Sequence, residues 1–117
     1  MSNAAFFWEK VAGIANSLPA VREELLHGTP AFYVDKKFFA RLKEDGLTLV
    51  VYNNEREEWI ESDPDTFFFT DHYKNYAILL VDLKKVSKTD LQKLVINSWR
   101  IRAPKKILKA YDTKSGT

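Results

Sequence analysis

Residues 31–52 read AFYVDKKFFARLKEDGLTLVVY, a succession of short apolar runs broken at Asp35-Lys36 and again at Asp45-Gly46. Runs of this length, rich in β-branched and aromatic residues and punctuated by turn formers, signal strands rather than helices. Glycine tolerates the positive φ of the primed hairpin turns, so Asp45-Gly46 marks the stronger reversal and Asp35-Lys36 a second, tight one. Consecutive hairpins imply antiparallel pairing, which places strands at 31–34, 37–43 and 47–52.

The pattern extends in both directions. Upstream, residues 23–27 form a further strand candidate, and before Pro19 the apolar residues Phe7, Val11, Ile14, Ala15 and Leu18 recur at helical spacing, predicting an amphipathic helix from about Ala4 to Leu18. Downstream, Asn54 is placed to cap a short helix over 55–61, closed by Asp63-Pro64. Strand candidates follow at 66–70 and 76–83, joined by the loop Asp71-His72-Tyr73-Lys74-Asn75; the second is almost continuously apolar, as a central strand would be. Ser87 and Asp90 form a capping-box pattern ahead of a helix with Leu91, Leu94, Val95, Ser98 and Trp99 on one face. Pro104 separates it from a shorter amphipathic turn carrying Ile107, Leu108 and Tyr111. The expected fold class is α+β: a twisted antiparallel sheet of about five to six short strands with the N- and C-terminal helices packed on one face. A single domain is expected over 4–111, with flexible ends at 1–3 and 112–117; Ser2-Asn3-Ala4 reads like the remnant of an expression tag.

With 117 residues, 45% of them hydrophobic and 14% aromatic, the chain is long enough for one substantial core. It has no cysteine, which excludes disulfides, thiolate metal sites and a cysteine nucleophile and suits a reducing, cytoplasmic setting. No apolar run approaches membrane-spanning length and no signal-peptide pattern opens the chain. The four glycines, at 13, 28, 46 and 116, cannot write a dinucleotide fingerprint or a phosphate-binding P-loop, so no cofactor is expected. Neither His27 nor His72 has a neighbour that nominates a nucleophile, no metal-ligand spacing is present, and the carboxylates between Glu55 and Asp65 suit helix capping and solvation. A non-enzymatic role is expected.

Charge is unevenly spread. Residues 1–83 hold 8 Lys/Arg against 14 Asp/Glu, and residues 84–117 hold 10 against 2, leaving −6 and +8. Such asymmetry marks an electrostatic face or two elements that neutralise one another. The loop with His72, Tyr73, Lys74 and Tyr76 mixes aromatic faces with cationic donors, a combination able to stack on bases and contact phosphates; Tyr76 and Trp99 nevertheless read as core residues, because both belong to apolar-patterned elements. In His27-Gly28-Thr29-Pro30, the polar groups of His27 and Thr29 either punctuate a turn or face a small pocket.

Taken together, HGTPAF at 27–32, KKFFARL at 36–42, DPDTFF at 63–68, TDHYKNY at 70–76 and SWRIRAPKK at 98–106 resemble the bacterial MmcQ/YjbR family, in order and spacing more than in any single motif. The similarity runs from about residue 6 to 108. It implies a fold similar to bacterial frataxin (CyaY-like) and, by analogy with a double-wing domain, DNA binding; the analogy operates at the level of fold and carries no catalytic constellation. Frataxin-like iron handling ranks lower, because the first helix holds only Glu9.

Two expectations follow. The first is a weak DNA-binding module contacting phosphates through Lys93, Arg100, Arg102, Lys105, Lys106, His72 and Lys74. The alternative is a small-molecule or protein-interaction module built around His27, Thr29, Arg41 and Tyr73, with no nucleic-acid role.

Overall fold

The computed structural model describes residues 3–115, with side chains over 5–113. In chain order the elements are α1 (Asn3–Ala15), β1 (Val21–Leu26), β2 (Thr29–Val34), β3 (Lys37–Leu42), β4 (Thr48–Tyr52), α2 (Arg56–Ser62), β5 (Phe67–Phe68), a 3-10 turn (Asp71–Tyr73), β6 (Ile78–Asp82), α3 (Lys88–Arg102) and α4 (Lys105–Ser115). The fold is α+β, as expected. All six strands join one antiparallel sheet in the order β1-β2-β3-β4-β6-β5. The final helix extends to Ser115, past the expected boundary at 111, while residues 1–2 and 116–117 of the expected flexible ends lie outside the described residues.

The sheet separates two apolar clusters. On the helix side, Trp8, Val11 and Ala15 of α1 and Leu91, Leu94, Val95 and Trp99 of α3 bury against Phe32, Val34, Phe39, Leu49, Val51, Leu79 and Val81. Trp8 stacks on Phe32, with ring centroids 4.8 Å apart. On the other face Val50, Ile78 and Leu80 form a smaller cluster with Phe38, Tyr52, Phe68 and Tyr73. The alternation of β6, with Ile78 and Leu80 on one side and Leu79 and Val81 on the other, explains its unbroken apolar sequence: neither face is left to water.

The turns follow from local chemistry. His27 and Gly28 adopt φ of 54° and 82° between the paired residues Leu26 and Thr29, the two positive angles of a type I′ hairpin. Asp35, at φ 56°, opens the two-residue loop to Lys37. The Asp45-Gly46 reversal is wider than a two-residue turn: the Asp45 carboxylate accepts hydrogen bonds from Leu47 N, Thr48 N and Thr48 Oγ1, at 2.8, 2.9 and 2.7 Å, and shapes the loop itself. The expected Asn54 cap does not form: Glu55 is the N-cap of α2 and makes no side-chain capping bond, and Asn53 accepts a hydrogen bond from Glu55 N at 2.7 Å in the turn before the helix. At α3, Ser87 Oγ accepts from Asp90 N at 3.1 Å, as the capping pattern required.

One side chain ties the helix layer to a sheet defect. Between β2 and β3 the register shifts, so that Tyr33 opposes Phe38 but Phe32 opposes Ala40, leaving Phe39 as the extra residue of a bulge. Pairing of β3 with β4 ends at Ala40 and Val51. Ser98 of α3 bridges the gap: its buried Oγ donates to Phe39 O at 2.5 Å and accepts from Tyr52 N at 2.9 Å. Ser98→Ala removes bonds from the buried Phe39 carbonyl and the part-buried Tyr52 N–H, at about 1–3 kcal/mol per unsatisfied group. The expected loss is about 3 kcal/mol, read as a lower urea midpoint with unchanged slope.

Candidate functional site

The helix-free face of the sheet is polar at one place. The β3 bulge puts Phe39 and Ala40 together on the helix side, so Phe38 before it and Arg41 after it both reach this face, where Arg41 stands in a cross-strand row between Ala31 and Val50. Arg41 is 7% exposed. Its Nη2 donates to Tyr73 Oη at 3.0 Å, and its Nη1 makes two longer contacts, to Thr29 Oγ1 at 3.4 Å and Glu44 Oε1 at 3.5 Å. Thr29 Oγ1 in turn donates to Leu26 O at 3.0 Å. The Glu44 carboxylate is held below the usual carboxylate range, first by its own backbone N–H and then by the charge of Arg41.

Around Arg41 the surface is concave. His27 and Leu26 from the first hairpin, Phe38 of β3, Tyr52 of β4, and His72, Tyr73 and Tyr76 from the connection between β5 and β6 enclose about 260 Å³ over Ile78. Segments more than forty residues apart meet there because β3, β4 and β6 are neighbours and the 69–77 connection folds over them. Of the expected pocket residues, His27, Arg41 and Tyr73 line the concavity, and Thr29 lies behind Arg41 as its hydrogen-bond partner. His72, expected on a phosphate-binding surface, lines it as well, its ring meeting Tyr73 edge-on at 4.7 Å. Tyr76 is not a core residue: 57% exposed, it stands at the rim, because the β6 strand begins only at Ile78.

The connection is held by Arg56, a residue that the sequence hid inside an acidic run. Arg56 Nη1 donates to Tyr73 O, Tyr76 O and Ile78 O at 2.9, 2.7 and 3.1 Å, and Nη2 to Lys74 O at 2.6 Å. Its guanidinium lies 3.9 Å from the centre of the Phe69 ring. One cation therefore fixes the backbone that presents His72, Tyr73 and Tyr76, and it does so through carbonyls, which no sequence motif records.

The basic C-terminal residues divide into two groups. Arg100 makes a two-pronged ion pair with Asp112 at 2.8 and 2.9 Å. This hydrogen-bonded pairing raises the Arg100 pKa and lowers that of Asp112. Arg102 Nε donates to Phe38 O at 2.9 Å, and its guanidinium lies 4.0 Å from the centre of the Tyr52 ring. Both arginines are engaged by the fold. Lys93 on α3, Lys105 and Lys106 on α4 and Lys74 in the connection are exposed. Lys74 and His72 belong to the segment on the sheet's helix-free face and Lys93 to α3 on the other, while Arg102 reaches from α3 to Phe38 and Tyr52 on the helix-free side. Among the described residues, no group of three or more histidine or carboxylate side chains is placed to hold a metal ion, and no helix is long and apolar enough to cross a membrane.

Comparison with known proteins concerns the chain and its fold. A family model described as YjbR matches residues 16–101. Uncharacterised proteins of Mycobacterium tuberculosis and Mycobacterium bovis are 25% identical over 126 aligned positions, covering 93% of this chain and 98% of theirs. The crystal structure of a Deinococcus radiodurans protein, whose domain is described as DUF419, superposes with a TM-score of 0.70 over 93% of this chain and 87% of its own; at 21% identity this establishes the shared fold.

Proposed function

The chain belongs to the YjbR family, and from that premise we propose that it is a small-molecule-binding module whose ligand occupies the concavity on the helix-free face of the sheet. The observation that carries this reading is the convergence of His27, Arg41 and the adjacent pair His72 and Tyr73 from three separated segments onto one surface. A buried guanidinium is costly to hold away from water, and polar groups that converge at a concavity with aromatic walls are the usual makings of a ligand site. The chain contributes recognition and no catalytic step.

A thermal-shift screen of small organic acids, bases and neutral compounds tests this. Compounds that stabilise the wild type are expected to lose their effect in Tyr73→Ala, which removes a wall of the concavity, and to keep it in Lys105→Ala/Lys106→Ala, which alters only α4. Absence of any stabilising compound at millimolar concentration, or stabilisation indifferent to Tyr73→Ala, would count against the proposal.

A second reading, weak DNA binding through phosphate contacts, draws support from the exposed Lys93, Lys105 and Lys106 and from the +8 balance of residues 84–117. With Arg100 and Arg102 engaged elsewhere, Lys93, Lys105 and Lys106 alone would neutralise about three phosphates and give a log–log salt slope of about −3, and the exposed Lys84, Lys85, Lys88 and Lys109 would steepen it. A duplex titration at low salt that saturates with a slope this steep or steeper, and that Lys93→Ala/Lys105→Ala/Lys106→Ala abolishes, would favour the DNA reading over the pocket.

A further inference from the structure

We infer that the ligand is a small organic anion with one flat ring, its carboxylate or phosphate head paired with Arg41 and its ring lying among Phe38, Tyr52, Tyr73 and Tyr76. This inference rests on the pocket reading and adds the chemistry of what the pocket takes.

Among the described residues, Arg41 lacks a close counter-charge. The residue is 7% exposed, yet its only ion-pair partner among the described residues is Glu44, at 3.5 Å and with a side chain 66% exposed. A carboxylate so distant and so hydrated offsets little of a desolvated cation's charge. The remaining contacts are neutral hydroxyls, Thr29 Oγ1 at the long distance of 3.4 Å and Tyr73 Oη at 3.0 Å. Guanidinium N–H groups form a planar fork that suits carboxylate and phosphate oxygens, and a ligand anion would supply the close counter-charge that the fold does not.

The surroundings favour the same sign. The described residues lining the concavity include two histidines and an arginine but no aspartate or glutamate. Two more arginines stand against its walls: Arg102 over the Tyr52 ring at 4.0 Å, and Arg56 on the carbonyls of Tyr73 and Tyr76. The carboxylates that pair with these cations, Glu44 on Arg41 and Glu57 on Arg56, are exposed and stand outside the lining, so positive potential predominates where the ligand would sit.

Size and shape restrict the rest of the molecule. At about 260 Å³ the concavity lies just below the usual range of ligand pockets, about 300–1,000 Å³, which favours a small ligand of one ring and one head group. The walls are ring faces and edges, which pair best with a flat π-system. Tyr76 in particular is left out of the core, and its exposed ring is free to close over a ligand.

Four probes titrated into the full chain, followed by calorimetry or amide shifts, test the inference: benzoate, phenyl phosphate, benzamide and acetate. Benzoate or phenyl phosphate is expected to bind about tenfold or more tightly than benzamide, which lacks the charge, and than acetate, which lacks the ring. Whichever of the two ring anions is tighter identifies the head group, and either order supports the class. Arg41→Gln should weaken benzoate about tenfold and benzamide less than twofold. Tyr76→Ala, at an exposed position that the fold tolerates, should weaken benzoate and leave acetate unchanged. Benzamide binding as tightly as both ring anions would overturn the anion class while leaving the pocket in place, and the wild-type comparison decides this without any variant. Silence of all four probes at tens of millimolar would overturn the class and the pocket together.

Discussion

Arg56→Ala is expected to lower the stability of the protein by about 3 kcal/mol and to release the backbone between Phe69 and Ile78. The side chain is 12% exposed and donates to four carbonyls along that segment, at distances from 2.6 to 3.1 Å. Hydrogen bonds to a charged group are worth about 1.5–3 kcal/mol each when considered singly. Four would sum well above the expected loss, but the acceptors of Lys74 and Tyr76 lie at exposed residues and regain water when the arginine is gone. The part that cannot be recovered is the bond to Ile78 O at the buried start of β6 and the packing of the guanidinium on Phe69. Arg56→Lys restores charge without the planar fork, so it should recover less than half of the loss. Urea denaturation measures the energy, and amide exchange over residues 73–78 locates it. A change below about 0.5 kcal/mol would mean that the Phe69 and Tyr73 rings hold the segment without the cation.

Trp99→Ala is expected to cost about 4 kcal/mol, the largest loss from any single side chain in the helix layer. Trp99 is fully buried, its Nε1 donates to Pro19 O at 3.2 Å, and its ring meets Tyr111 edge-on at 4.9 Å. It therefore joins α3 to the segment after α1 and to α4, and truncation removes contacts with all three. Tryptophan-to-alanine changes in cores cost about 3–5 kcal/mol through lost burial and the cavity left behind. For a domain of this length, that is about 15 °C in melting temperature. Trp99→Phe keeps most of the ring and loses the bond to Pro19 O, so its cost should be near 1–2 kcal/mol. Equal costs for the two variants would place the importance of Trp99 in its hydrogen bond rather than in its volume.

Much of the fold was readable because apolar spacing and turn chemistry agreed. The run of 31–52 gave its strands, Ser87 gave the start of α3, and Leu91, Leu94, Val95, Ser98 and Trp99 proved to be one buried face. What escaped was set by partners distant in sequence. Phe67, Phe68 and Phe69 read as one strand, but Phe67 belongs to the helix-side core, Phe68 to the opposite cluster and Phe69 to Arg56, leaving a strand of two residues. The phenylalanine bulge in β3 has no glycine to announce it, so neither the bulge nor the Ser98 bridge was legible.

The candidate site divides along the same line. His27, Arg41 and Tyr73 were nominated from sequence and do meet, whereas Phe38, Tyr52 and Tyr76 passed for ordinary strand or core aromatics, because nothing local says which face of the sheet a ring occupies. Arg100 and Arg102 counted toward a basic surface on charge alone; their partners, Asp112 and the Phe38 carbonyl, are twelve and sixty-four residues away. Net charge along a chain is additive, but the availability of each charge is decided by tertiary contacts.

The choice between the helix-free concavity and the basic helices is settled most directly by amide shift mapping on the full chain, with benzoate in one series and a DNA duplex at low salt in the other. The expected result is saturable shifts at Leu26, His27, Arg41, Tyr52 and residues 72–78 with benzoate, and no saturable shifts along α3 and α4 with the duplex. Saturable shifts at Lys93, Arg100, Lys105 and Lys106 with the duplex, alongside silence at Arg41 and Tyr73 with benzoate, would contradict the pocket and assign the function to the other side of the sheet.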